Sequence, residues 1–368
     1  MEREIENSAE IAANTIEPIE KKSRNCAFDI ARIVAMFLIV CSHFLGHGGF
    51  IRNMTGGEFR FRENTYVPFQ SVRKLIRTHR RILHLYVEKL KWQRLAKLYA
   101  QVWIYGMTLF VVFLCIQGVE SFSVEWLLSS IFPVVCGKYW FFSAYIFMML
   151  VSPLLNIVIE RINKKTHLAI CVVSIVLGIL AGDVHIVPQL AMGDGYNVIW
   201  FVMLYFIAAF IRKYDVTVPK KWIFIPILAY IATLVAGYFF NTAQCSIVRS
   251  TPAIILLIAL KDVKTNSARL SKFVTGLSAT MFGVYLIHDS NEMRAYMYRN
   301  IFHVDTFYDS KYSFLIMLGF AAATFAVCIA IEEIRLLIDK PLSKVVEKCF
   351  LKLKDKMQKK NTNTEATE

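Results

Sequence analysis

Charge is scarce in this sequence. Only 19% of its 368 residues are Asp, Glu, Lys or Arg, against about 25% in an ordinary soluble domain. Apolar residues fill the gap, at 56% of the chain with 28 Phe, where about 45–50% is usual. A soluble enzyme of this length and a disordered chain are both excluded. Paired cysteines are missing as well. The eight cysteines, at 26, 41, 115, 136, 171, 245, 328 and 349, include no CxxC pair and mostly lie within apolar runs. Cys acts there as a small hydrophobe, so neither a disulfide framework nor a metal site is expected. No GxSxG elbow or P-loop gives a hydrolase or ATPase reading anything to rest on. The segment from Glu2 to Glu20 is acidic and polar, without the apolar core of a signal peptide, so the first apolar run is expected to remain as a membrane helix.

The apolar excess is gathered into runs long enough to cross a bilayer core of about 30 Å as helix. Spans are expected at 27–45, 98–118, 139–159, 168–187, 198–211, 222–240, 251–260, 273–288 and 313–337, with an interfacial or re-entrant piece at 126–135. The fold class is therefore all-α, a polytopic integral membrane bundle of about nine or ten transmembrane helices. A polar segment, 1–24, precedes one membrane domain at 25–340, and a basic polar tail at 341–368 follows it.

Charge asymmetry orients the spans. The connections at 161–166, 212–221 and 261–272 and the tail at 335–360 hold 3, 4, 4 and 9 Lys/Arg, whereas those at 119–138, 188–197, 241–250 and 290–312 hold 1, 0, 1 and 3. Twenty against five places the first set, with the C-terminus, in the cytoplasm of a multi-pass protein of a bacterial-type cell membrane. One stretch resists. Lys21, Lys22 and Arg24 argue for a cytoplasmic N-terminus, and the basic connector 51–97, with 12 Lys/Arg against 3 Glu, should also be cytoplasmic, yet a single span separates them. Either a poor membrane segment hides within 46–70, or the first span is re-entrant, or the N-terminus is outside. The run 73–86 reads as a basic amphipathic helix on lipid headgroups rather than a nucleic-acid contact.

The first span carries charge where lipid should be. Side chains charged near mid-bilayer usually face the bundle interior and mark function. Asp29 and Arg32 are three apart and able to pair. Arg32 and His43, eleven apart, differ in direction by only about 20° and lie about 16 Å apart along a helix, and His47 extends the stripe by a turn. The stripe reads either as an interfacial Asp–Arg pair with a histidine at the opposite interface, or as an internal polar path ending in a titratable imidazole.

Arg24-Asn25, Phe28-Asp29-x-x-Arg32 and, ten residues on, His43 resemble the opening motif of the membrane-bound acyltransferase family 3. Lys138-Tyr139-Trp140-Phe141-Phe142-Ser143-Ala144-Tyr145, Leu150-Val151-Ser152-Pro153-Leu154-Leu155-Asn156 and Ser278-Ala279-Thr280-Met281-Phe282-Gly283-Val284-Tyr285-Leu286-Ile287-His288 agree with it in order. The chain departs from the pattern at 52–88, which is charged where the family would have a second apolar helix. The resemblance implies O-acylation of a cell-envelope glycan or its lipid-linked precursor, with acyl-CoA (acetyl-CoA) as co-substrate and no bound cofactor. His43 would be general base or transient acyl carrier. Arg32 would stabilise developing negative charge or a CoA phosphate, and Asp29 would orient it. Arg94, Lys97 and Trp140 are the donor-binding candidates, the two cations doubling as positive-inside anchors. Tyr285 and His288 are candidates for the acceptor side, or else a snorkelling interfacial pair. A lipid-linked saccharide flippase and an inactive membrane scaffold are the rival readings. About 30 residues follow the last span, too few for a fused esterase-like domain.

Overall fold

The computed structural model describes residues 26–53, 92–178, 198–217 and 267–338, with scattered positions between 224 and 263 and between 344 and 352. Regular structure among the described residues is entirely helical. The long helices are α1 (Cys26–Gly46), α3 (Trp92–Gln117), α5 (Trp140–Arg161), α6 (Lys164–Gly178), α7 (Val198–Lys213), α8 (Ala268–His288) and α10 (Ser313–Ile338). Short helices α2 (Phe50–Asn53), α4 (Val124–Ile131) and α9 (Asn291–Tyr296) sit between them. Five of the ten, α1, α3, α5, α8 and α10, are long and apolar enough to cross a membrane.

Local chemistry sets the helix ends. Ser267 caps α8, its hydroxyl accepting from Leu270 N at 3.3 Å, and Ser290 caps α9 through Met293 N at 3.2 Å. α1 stops at a glycine pair, where Gly48 N donates to His43 O at 3.0 Å. Gly49 follows with φ of 74°, and a Cβ there would lie 2.7 Å from the Tyr308 hydroxyl. α5 runs on through Pro153, which has no N–H for the Met149 carbonyl one turn back. The Ser152 hydroxyl donates to that carbonyl at 2.9 Å instead.

α1, α8 and α10 form the centre of the bundle. α1 and α8 run in the same direction: Asp29 meets Thr275 and Ser278 at one end, and His43 meets Asp289 at the other. α10 runs against both, because Phe37 packs on Phe325 and Phe44 on Phe320. α3 again runs with α1, since Gln101 and Tyr105 reach Glu332 near the end of α10 while Phe113 packs on Tyr296 beyond the end of α8. α5 returns, with Tyr139 OH donating to Leu286 O at 3.1 Å and Phe142 packing on Phe282. Without a hydrophobic drive between helices in lipid, van der Waals interlock and interhelical hydrogen bonds must hold such a bundle. Phe44, set among Tyr298, Phe302 and Phe320, is one such interlock.

α1 is a continuous helix along α8, and it starts at the end of the bundle where α10 finishes. α1 and α3 run the same way, and the connection between them, 54–91, with the basic run 73–86, lies outside the described residues. So do most of the expected spans 222–240 and 251–260, and the 168–187 span beyond Gly178. The piece at 126–135 is the short α4, capped by Ser123 and packed on α3 through Phe110 and Trp126, whose rings are 4.6 Å apart.

Candidate active site

Two polar clusters lie at opposite ends of the α1–α8 pair. At the first, the final turns of these parallel helices converge. His43 lies in the last turn of α1, just before His47, while α8 ends in His288 and is closed by Asp289, whose N–H donates to Tyr285 O at 3.2 Å. His43 Nδ1 lies 3.3 Å from Asp289 Oδ1. The His43 ring is 5.0 Å from that of His288 and 5.2 Å from that of His47. His43 and His288 are fully buried and Asp289 is nearly so, whereas His47 is exposed. The His288 ring is fixed by its Nδ1, 2.5 Å from Val284 O. Arg294, from α9, stands on the far side of the carboxylate, 3.5 Å from Asp289 Oδ1 and 3.1 Å from His47 Nε2, and also donates to Asn291 Oδ1.

Chemically this is an imidazole at ion-pair distance from a carboxylate, with a guanidinium against the same carboxylate oxygen. An Asp on one ring nitrogen favours the tautomer that leaves the other nitrogen basic, and offsets the charge gained when it takes a proton. The ligand atoms of His43, His47 and Asp289 lie within 4.8 Å of one another, a donor set that also suits a divalent cation. Arg294 already supplies a positive charge against two of the three. Beside the cluster opens a cavity of about 720 Å³, lined among others by His47, Arg294, Arg299, His303 and Tyr308, with the bare backbone of Gly48 and Gly49.

At the other end, Asp29 is buried and accepts from Arg32 NH1 at 2.7 Å, Ser278 Oγ at 2.9 Å and Thr275 Oγ1 at 3.2 Å. Arg32 NH1 also donates to Ser278 Oγ at 2.5 Å. A third polar knot lies between α3, α8 and α10. The buried Glu332 accepts from Gln101 Nε2 at 2.9 Å, from Tyr105 OH, and from Arg335 Nε and NH2, each at 2.7 Å. Gly283 makes room for it, since a Cβ on residue 283 would lie 2.2 Å from the Glu332 carboxylate.

Residues 79–333 match the family described as "Acyltransferase domain". The chain belongs to acyltransferase family 3. No curated protein and no solved structure matches it. The matched stretch begins after α1, so Asp29, Arg32 and His43 precede it, but each of the three contacts a matched residue: Ser278 for the first two and Asp289 for the third.

Within this family domain, the residues singled out in the sequence divide between the two ends. His43 and His288 come together; Asp29 and Arg32 do not join them, being about 21 and 16 Å of helix away. Arg32 is placed instead with Asp29 and Ser278. The donor candidates also part company. Arg94, half-buried, and Lys97, exposed, lie in the first turns of α3 at the Asp29 end. Trp140 opens α5 at the His43 end, packed edge-on to Phe141 at 5.9 Å. Tyr285 and His288 are not a snorkelling pair, since both are buried; Tyr285 packs among Tyr139, Phe141 and Phe282. Sequence reasoning missed Asp289, one residue past an apolar run, and Glu332, which forms the same acid–Arg i,i+3 pair with Arg335 that drew attention to Asp29 and Arg32.

Proposed function

We propose that this acyltransferase moves an acetyl group from acetyl-CoA, supplied from the cytoplasm, to a hydroxyl of a cell-surface polysaccharide or its lipid-linked precursor on the outer side. The observation that carries the reading is the buried His43–Asp289 pair beside an open polar cavity. The cavity lies at the end of the bundle with the connections 119–138 and 290–312, which hold 1 and 3 Lys/Arg, and the positive-inside rule supports reading that end as the outer one.

In this scheme His43 Nε2 removes the proton of the acceptor hydroxyl as its oxygen bonds to the thioester carbonyl carbon. The C–S bond then breaks, and the departing thiolate takes the proton back from His43. Asp289, 3.3 Å from Nδ1, balances the transient positive charge, and Arg294 keeps the carboxylate in place. The CoA phosphates need fixed cations. Arg94 and Lys97 lie at the cytoplasmic end, and Arg32, neutralised by Asp29, sits where the extended pantetheine arm would pass on its way to His43.

The test is thiol release from acetyl-CoA by membranes containing the protein and its native envelope glycan, wild type against His43→Ala. Thiol release and glycan acetylation lost together in the variant are expected. Activity undiminished by His43→Ala would overturn the assignment, and acetyl-CoA left intact by a well-folded wild type would overturn the acyltransferase chemistry proposed here.

A further inference from the structure

The geometry points to an oxyanion-recognising subsite beside His43, so that the acceptor is an anionic glycan bearing a carboxylate or phosphate near the hydroxyl that reacts. This rests on the acyl-transfer reading for its consequence but not for its chemistry. The cavity wall carries two guanidiniums, Arg294 and Arg299, against a single carboxylate, Asp305, and two imidazoles, His47 and His303, that add positive charge when protonated. Arg294 is committed to Asp289 and His47. Arg299 is not: among the described residues it forms no salt bridge and no side-chain hydrogen bond, although it lies on the cavity wall. A guanidinium so placed is suited to bidentate capture of a carboxylate or phosphate.

The backbone that presents it is unusual. Arg299 sits in a five-residue π-helical turn, Met297–Ile301, that continues α9, and such turns are rare and gather at functional sites. His303 follows in left-handed conformation, φ 44° and ψ 51°, which costs a non-glycine residue energy and persists only where its surroundings hold it. The opposite wall offers Gly48 and Gly49, with no side chains to keep a ligand away, and is tied down by the Tyr308 hydroxyl donating to Gly48 O at 2.8 Å. Arg299 is linked to the dyad through one continuous element, one π turn beyond Arg294, so an anion on it would set the rest of a saccharide against His43.

The experiment uses purified full-length protein in neutral detergent, titrated at fixed ionic strength with D-glucose, D-glucuronate and glucose 1-phosphate. Binding of at least one anion, with neutral glucose weaker, is expected; glucuronate alone identifies a carboxylate acceptor, glucose 1-phosphate alone a phosphate. Arg299→Gln should weaken anion binding about fivefold, as for a partly exposed ion pair, with Arg299→Lys in between. Equal affinity for glucose and both anions, absence of anion binding at millimolar concentration, or Arg299→Gln without effect would overturn the subsite. Acetyl transfer to glucose, glucuronate and glucose 1-phosphate is then compared. Transfer without preference for charge overturns this inference and leaves the acyltransferase standing. Charge-selective, Arg299-dependent binding with acetyl-CoA left unconsumed supports the subsite and overturns the acyltransferase reading.

Discussion

Asp289→Asn isolates what the carboxylate does for His43. The substitution is isosteric, so the loss is almost wholly that of charge. Two unit charges at the observed 3.3 Å attract by about 5 kcal/mol at an effective dielectric constant of 20. Imidazole is only part-charged in the transition state; with the proton half transferred, about 2.5 kcal/mol of that attraction is in force, which is roughly 10²-fold in rate. Arg294, no longer balanced by Asp289, pushes in the same direction. The expected result is kcat about 10²-fold lower with KM for acetyl-CoA unchanged, measured as thiol release and as acetyl found on the glycan. Activity within about threefold of wild type, beside an inactive His43→Ala, would refute the idea that Asp289 works through His43.

Other perturbations probe the remaining clusters. Arg32→Gln should raise KM for acetyl-CoA with kcat nearly unchanged, read from donor saturation curves, because Arg32 lies too far from His43 to touch the reacting carbonyl. Gly283→Ala drives a methyl into the Glu332 carboxylate and should cost about 1–3 kcal/mol, seen as a lower thermal midpoint in detergent. In a Glu332→Ala background the same change should be nearly free, within about 0.5 kcal/mol, and an undiminished cost there would show that the clash lies elsewhere. At Glu292, burial pushes the carboxyl's pKa up, but the Lys138 ammonium and the hydrogen bonds from Lys138 and Trp126 outweigh it and hold the group below its ordinary 4.5. A depressed folded value means stabilisation that is complete above the ordinary value and lost as pH falls through the lower one. Lys138→Met should therefore lower the thermal midpoint at neutral pH and flatten its fall on the acid side, because the folded and unfolded values draw together.

The helices were legible because each is an apolar run bounded by polar residues: the 27–45 run became Cys26–Gly46, and 313–337 became Ser313–Ile338. The start of α3 was less so. Trp92 to Lys97 mixes charge with Leu95 and Ala96, which are buried, so the helix begins six residues before its apolar run does. The Asp29–Arg32–His43 stripe followed from helical periodicity alone. Its partners did not. Ser278 and His288 stood at the two ends of a separate motif, and one sequence contains nothing that says α1 and α8 lie side by side and point the same way. That parallel contact brings the two motifs together at both ends of one helix pair. Asp289 escaped because a search for charge inside apolar runs halts at His288, while Glu332 lay inside such a run and was passed over.

The parallel packing of α1 and α8 has an electrostatic consequence. Neighbouring antiparallel helices largely cancel their macrodipoles; two that point the same way add them. Each helix carries roughly half a negative charge at its C-terminus, and both C-termini open onto His43. α10, which runs against both, offsets one of the two, so at the centre of the bundle one helix's worth of negative end is left facing His43. At the opposite pole the same two helices present their positive ends on the side of Asp29, so the parallel pair makes the two ends of the bundle's centre electrostatically unlike.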